Sequence, residues 1–276
     1  MLKILTLNWN GKDKLEKLYP SLMPNLKDIN YQFLIKDNGS RDNSAEYIKS
    51  LNNENIKLIE YPNNLQNFSQ GCNLLFNESN ANDEDDILLL NNDVIFNDTT
   101  SLKKMLNIIH SDKDVGIVGA RILYTGTNKL QHAGVVFKKG YNLPYHFRVG
   151  EISDSNAEKN RYFQAVTGAV LLTKAKYYRG SFVNKDGNVG LCQEMVWCFD
   201  DIFYSIDVGV NQNKKIVYCG KTNISHEESA TLKKNPVNKL FMNHNSNYFR
   251  NKWDGKYTID EDLYKNPKYN LYKESK

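Results

Sequence analysis

The sequence predicts an α/β fold with a mostly parallel central sheet flanked by helices, and three observations carry that expectation. Apolar runs of strand length alternate with segments at helical spacing through the first half of the chain. One run, Ile87-Leu88-Leu89-Leu90, is continuously apolar between acidic residues and Asn91-Asn92-Asp93, the pattern of a strand buried on both faces. Three runs end in polar clusters: Asn8-Trp9-Asn10, Asp37-Asn38-Gly39-Ser40 and Asn91-Asn92-Asp93. Right-handed crossovers set such strand ends along one sheet edge, where α/β folds bind ligands.

Each element follows from its residues. Ile4 to Leu7 is an apolar run stopped by the turn signal Asn8-Trp9-Asn10-Gly11, and Leu15, Leu18 and Leu22 recur at helical spacing. Tyr31 to Ile35 reads as the second strand. Asp42 or Asn43 can cap a helix through Ile48. Ile56 to Tyr61 is the third strand, followed by a Pro62-Asn63-Asn64 loop, a helix over 68–79, the Ile87 run and a helix over 99–110.

The second half is less regular. Strands are expected at Val115–Val118 and Ala133–Phe137, a loop over 140–160, and an apolar run from Val166 to Leu172 with Gly168 inside it. A helix over 195–208 carries Asp200 and Asp201. Ile216-Val217-Tyr218 is a short strand, with His226-Glu227-Glu228-Ser229 in a loop beyond it. An aromatic helix over 236–253 presents Leu240, Phe241, Tyr248, Phe249 and Trp253.

Composition narrows the function classes. The 276 residues can bury a large core, and 40% hydrophobic with 25% charged content excludes a disordered chain. No apolar stretch is long enough to span a membrane, and the N-terminal run is too short for an export signal. A net charge of +4 without a Lys/Arg cluster argues against nucleic acid as a partner. The four cysteines form no CxxC pair and read as reduced thiols of a cytoplasmic protein. The aromatic and basic last helix leaves open a peripheral contact with the inner face of a membrane.

Several residues can carry chemistry. Asp93, at the end of a buried strand, can hold Mn²⁺ or Mg²⁺ with substrate phosphates completing the shell. Asn and Asp also form turns, and spacing alone does not separate the two readings. Asp37 can accept a hydrogen bond from a base or ribose, or simply start a turn with Gly39. Asp200 and Asp201 sit among Trp197, Phe199 and Phe203, a setting that raises a carboxyl pKa toward a general-base value. Two acids at a helix start also complement its dipole. His226 can ligate a metal, or be a solvated loop histidine.

Taken together, these motifs resemble glycosyltransferase family two, the inverting family of GT-A fold, and its rhamnosyltransferase-like branch. The likeness runs from residue 1 to about 253. It lies in Leu7-Asn8-Trp9-Asn10-Gly11, Asp37-Asn38-Gly39-Ser40-Arg41-Asp42-Asn43-Ser44, Phe68-Ser69-Gln70-Gly71-Cys72-Asn73 and Leu88-Leu89-Leu90-Asn91-Asn92-Asp93. It continues through Gln131-His132-Ala133-Gly134, Val166-Thr167-Gly168-Ala169, Asp200-Asp201, His226-Glu227-Glu228-Ser229 and Phe249-Arg250-Asn251-Lys252-Trp253. The resemblance implies a nucleotide and donor site from Asn8, Asp37, Asn73, Asn92, Asp93 and Gly168. It implies Mn²⁺ or Mg²⁺ on Asp93 and His226, Asp201 as catalytic base, and an acceptor region with Asp200, Phe203 and Trp197. One domain is expected over 1–253, with a nucleotide half to 110, an acceptor half from 111, and a tail over 254–276.

Three positions depart from the family pattern. Asn91 replaces the first acid of the metal motif. Asn67 stands where relatives have Gly, and Phe203 occupies the place of a third acid, which is expected to reshape the acceptor pocket. The implied activity is metal-dependent inverting transfer of a hexosyl or deoxyhexosyl group from a UDP- or dTDP-sugar to a glycan, lipid-linked or protein hydroxyl. The alternatives are a non-catalytic nucleotide-sugar or glycan-binding module of the same fold, and a nucleotidyltransferase.

Overall fold

The computed structural model describes residues 1–61, 67–140, 144–181, 189–196, 198–227 and 237–273. Its first half runs β1 (Leu2–Asn8), α1 (Lys12–Leu22), β2 (Tyr31–Asp37), α2 (Ser44–Ser50), β3 (Ile56–Glu60), α3 (Phe68–Glu78) and β4 (Asp86–Leu90). There follow β5 (Val94–Phe96), α4 (Ser101–Ser111), β6 (Val115–Tyr124), β7 (Leu130–His132), β8 (Val135–Val136), β9 (Tyr145–His146) and β10 (Arg161–Phe163). The chain continues through β11 (Val170–Lys174), α5 (Ala175–Arg179), α6 (Asp200–Val210), β12 (Lys215–His226) and α7 (Val237–Trp253).

The main sheet has the order β10-β12-β6-β11-β4-β1-β2-β3, with β5 on β12 and β7 on β6. β3, β2, β1, β4, β6 and β12 all run one way, and β11 and β10 run against them. The expected α/β architecture is therefore present, with a reversed β11 inserted between β4 and β6.

Alternation along each strand divides the core in two. Leu88 and Leu90 face one cluster with Leu15, Leu18 and Met105, while Ile87 and Leu89 face a second with Leu75, Phe76 and Tyr204. This two-sided burial is why the β4 run is continuously apolar. A third cluster joins α6 to α7 through Phe203, Ile206, Phe249 and Trp253. On α7, Phe249 and Trp253 are buried but Leu240 is exposed, so Leu240 does not belong to the packed face.

Several expected elements are corrected. The strand expected over Ala133–Phe137 is cut down to Val135–Val136, because Gly134 (φ 101°) turns the chain between β7 and β8. A Cβ at Gly134 would lie 2.4 Å from the Phe163 ring, so only glycine fits there. The strand at Ile216–Tyr218 extends to His226, with a register shift between Cys219 and Ile224. Arg121 fastens that irregularity, its N–H donating to Thr222 Oγ1 (2.8 Å) and its Nε to Thr222 O (2.9 Å). His226 thus ends a strand instead of lying in a loop. The Val166 run becomes strand only at Val170, and the helix expected from 195 starts at Asp200. The Pro62-Asn63-Asn64 loop lies outside the described residues.

The segment expected as a tail packs back onto the sheet. Tyr264 stacks on Phe163 with centroids 4.1 Å apart, Leu271 bridges to Arg161, and Asp260 accepts the Phe137 N–H at 2.9 Å. Among the described residues no helix is long and apolar enough to cross a membrane.

Candidate active site

The ends of β1, β2 and β4 lie side by side, and side chains stitch them together. Asn8 is the central stitch. Its Nδ2 donates to Asp37 Oδ2 (2.9 Å) and Ser40 Oγ (3.3 Å), and its Oδ1 accepts from Asn92 Nδ2 (2.8 Å). Asp37 also accepts the Ser40 N–H at 2.8 Å and the Ser40 hydroxyl at 2.7 Å. Three of its roughly four acceptor sites are thus taken by protein. At Gly11 a Cβ would sit 2.4 Å from Asn92 Nδ2 and 2.6 Å from Asn8 Oδ1, so a side chain there would displace these two amides from the network. Two neighbours had no role assigned from sequence. Trp9 stands 52% exposed beside Asn8, an uncovered aromatic face at the sheet edge. Lys36 is fully buried, bonds to Asn38 Oδ1 and lies 4.4 Å from the Tyr61 ring centroid; burial pushes its ammonium pKa down.

Asp93 and His226 meet because β5 pairs with the end of β12, setting His226 opposite Val94. His226 Nε2 is 2.8 Å from Asp93 Oδ1, and Lys14 Nζ is 3.9 Å from Oδ2. Asn91 Nδ2 lies 3.3 Å from the same ring nitrogen. On the other side of the ring, Nδ1 is 2.7 Å from Gln131 Oε1.

The donor set fits a divalent ion. Both ring nitrogens face acceptors, an amide oxygen and a carboxylate, and a singly protonated imidazole can serve only one of them. A doubly protonated ring paired with Asp93 resolves that conflict, and so does a divalent cation held between Nε2 and the carboxylate. Cis ligands of an octahedral ion with bonds near 2.1 Å stand roughly 3.0 Å apart, close to the observed separation. Among the described residues no third His, Cys, Asp or Glu joins this pair as a ligand group. Substrate oxygens and water would complete the shell, as is usual for Mg²⁺.

Asp201 lies on the neighbouring strand's flank. Gly168 N–H donates to Asp201 Oδ2 at 2.7 Å, and Oδ1 accepts the Ile202 N–H at 2.8 Å. One residue further on, Ala169 O accepts the Asn91 N–H at 3.0 Å, which ties the Asp201 pin to the β4 end. A Cβ on Gly168 would be 3.1 Å from Asp201 Cβ, tighter than side chains normally pack. His132 Nε2 takes the Thr167 N–H at 3.4 Å and steadies the same segment from behind. Phe199 precedes the pair in the left-handed region (φ 70°), strain of about 1–2 kcal/mol that aims α6 at the sheet edge. Asp200 is buried, and its Oδ2 has no hydrogen-bond partner. Burial first, then the charge of Asp201, pushes its carboxyl well above the usual carboxylate range.

Other expected site residues lie apart. Asn73 is a buried clamp: its Nδ2 donates to Leu191 O, and its Oδ1 accepts Leu191 N–H and the Tyr178 hydroxyl, each at 2.8 Å. Phe203 is a buried core residue set edge-on to Trp253 at 5.2 Å, which anchors α7. Trp197 lies outside the described residues, as do Glu228 and Ser229. Asn67 caps α3 in a reciprocal box, its Oδ1 accepting Gln70 N–H (2.8 Å) while Gln70 Oε1 accepts Asn67 N–H (3.0 Å). A cavity of about 380 Å³ between Phe163, Ile206, Val210 and Lys214 includes Ile216, at the opposite end of β12 from His226 and roughly 23 Å away measured along the paired β6.

The chain matches the family model described as Glycosyl transferase family 2 over residues 4–173. It belongs to glycosyl transferase family 2. Comparison with curated proteins gives no match. Solved structures share the GT-A fold of this family 2 member. S. aureus TarS 1–349 aligns at 13% identity over 95% of this chain and 77% of its own, with a TM-score of 0.57. The same protein in complex with UDP-GlcNAc gives 13% identity, coverages of 95% and 78%, and the same score, 0.57. Mannosyltransferase PcManGT from Pyrobaculum calidifontis, in complex with GDP-Man and Mn²⁺, aligns at 10% identity over 96% of this chain and 68% of its own, with a TM-score of 0.61.

Proposed function

We propose that this family 2 glycosyltransferase moves a hexosyl or deoxyhexosyl group, with inversion, from a nucleotide diphosphate sugar to an acceptor hydroxyl. The observation that carries the reading is one continuous set of contacts. Asp93–His226, Asn91–Ala169 and Gly168–Asp201 link a metal-type pair to a pinned carboxylate across β4 and β11. The UDP-GlcNAc and GDP-Man complexes of the similar structures support a nucleotide diphosphate sugar, and UDP or dTDP is the donor nucleotide we assign. The acceptor class is a glycan, lipid-linked or protein hydroxyl.

The residues divide the work. Asp37 presents its remaining acceptor capacity to base or ribose, and Trp9 offers a face for the base to lie on. Asn8 and Asn92 hold Asp37 and the β4 end in fixed relation. Asp93 and His226 would hold Mn²⁺ or Mg²⁺, whose chemistry there is neutralising charge on the departing diphosphate. Asp201 takes the proton of the acceptor oxygen as that oxygen attacks the anomeric carbon. Gly168 keeps the base in place while leaving room for the sugar. A single displacement inverts the anomeric centre.

Thermal unfolding tests the donor site. Mn²⁺ with UDP or dTDP at about 100 times the dissociation constant should stabilise by roughly 2.7 kcal/mol. That is about 5–10 °C in Tm for a domain of this class, and Asp93→Ala should abolish it. Asp201→Asn should keep the shift and lose transfer by about 100- to 10,000-fold. Retained transfer in Asp201→Asn removes the base assignment; an absent shift with both nucleotides removes the donor assignment.

A further inference from the structure

His226 is gripped from both sides, and the grip on Nδ1 comes from a residue outside the expected site. Gln131, the middle residue of β7, sets Oε1 2.7 Å from Nδ1. Its Nε2 donates to the His226 carbonyl at 3.4 Å, which fixes the amide end that meets the ring. An amide oxygen only accepts, so Nδ1 carries the ring proton. In the neutral ring Nε2 is then a lone pair. Asn91 Nδ2 points a donor at it from 3.3 Å, as a lone pair requires, while Asp93 Oδ1 meets it at 2.8 Å. In the neutral ring that last contact sets acceptor against acceptor, whereas a protonated ring makes it an ion pair.

Packing does not call for an amide at this position. Leu130 and His132 on either side of Gln131 are fully buried and already anchor the short strand. We propose that Gln131 is a positioning residue: it holds His226 in the Nδ1–H tautomer with Nε2 open toward Asp93, and so sets the affinity of the pair for a divalent cation. The inference rests on the metal reading of Asp93 and His226. An apolar residue at 131 would leave Nδ1 without an acceptor. The proton would then move to Nε2, where it bonds Asp93 and closes the lone pair to a cation. Outer partners of metal-binding histidines typically set affinity by about 10- to 100-fold.

The experiment uses the full chain and Mn²⁺ alone. Free Mn²⁺ is titrated by electron paramagnetic resonance, and the His226 tautomer is read from long-range ¹H–¹⁵N spectra, assigned by loss of its signals in His226→Gln. Wild type should show the Nδ1–H pattern. Gln131→Leu should lose that pattern and bind Mn²⁺ about 10- to 100-fold more weakly. Gln131→Glu, which keeps an acceptor facing Nδ1, should restore both. Unchanged tautomer and Mn²⁺ affinity in Gln131→Leu overturns the role of Gln131 alone. Equal loss in Gln131→Leu and Gln131→Glu, with equally lowered Tm, overturns it in favour of simple packing. Absence of Mn²⁺ binding by wild type overturns the metal reading and this inference together.

Discussion

Asp200 shows how one position separates two roles within an acidic pair. Asp201 is held by backbone N–H groups at the sheet edge, whereas Asp200 is buried with an unpartnered oxygen. Its pKa is raised above the unfolded value by burial and by Asp201. The folded protein therefore keeps a proton on Asp200 at a pH where the unfolded chain has lost it. The stability this contributes is complete below the unfolded pKa near 4 and is lost as pH rises through the folded pKa. Asp200→Asn removes the titration. Its Tm relative to wild type should climb steadily as pH rises from about 4 past neutrality. A constant difference between the two proteins across that range would show that Asp200 titrates normally.

At the scale of elements, the first half was legible because its physics is local. The β4 run, the helical leucines of α1 and the polar clusters at three strand ends each reported their own environment, and Asn92–Asn8–Asp37 joins those ends as expected. The second half was less legible because its elements depend on distant partners. Gly134 turns the chain clear of Phe163, and β12 runs on to His226 past an irregularity that Arg121 secures at Thr222, its end paired with β5 and β6. Gln131 could be quoted as part of a motif, but its contact with His226 spans 95 residues and left no local mark. Asn67 is the reverse case. What read as a departure in the nucleotide loop is a helix cap, with Nδ2 also donating to Gln193 O at 3.0 Å. Asn67→Ala should cost about 1 kcal/mol, about 2–4 °C in Tm. Asn67→Gly should cost less, since glycine tolerates the cap position. Calorimetry of the two variants distinguishes this from a nucleotide contact, which would change ligand affinity and leave the Tm of the ligand-free chain unmoved.

For the whole molecule, the question is where the folding unit ends. The resemblance stops near Trp253, yet residues 254–273 are built into the sheet edge. Tyr264 is buried, stacks on Phe163 at an interplanar angle of 4°, and donates its hydroxyl to Tyr162 O at 2.6 Å. Tyr272 closes over Tyr162 from the other side, and Arg161 donates to Pro267 O at 2.7 Å. Burying one such aromatic side chain contributes about 1.5–3 kcal/mol, and stacking adds about 0.5–1.5 kcal/mol. Against a total stability of about 5–15 kcal/mol, losing the whole segment should leave a barely folded chain. Truncation after Trp253 should therefore lower the urea midpoint sharply and open β10 to proteolysis. Tyr264→Ala should fall part of the way, by about 3–5 kcal/mol. The two variants together locate the boundary. If the truncated chain keeps the wild-type midpoint, the fold ends at Trp253 and the strap merely rests on it. If Tyr264→Ala accounts for most of the truncation's loss, the Phe163 stack is the point at which the strap holds β10, and through β10 the outer edge of β12.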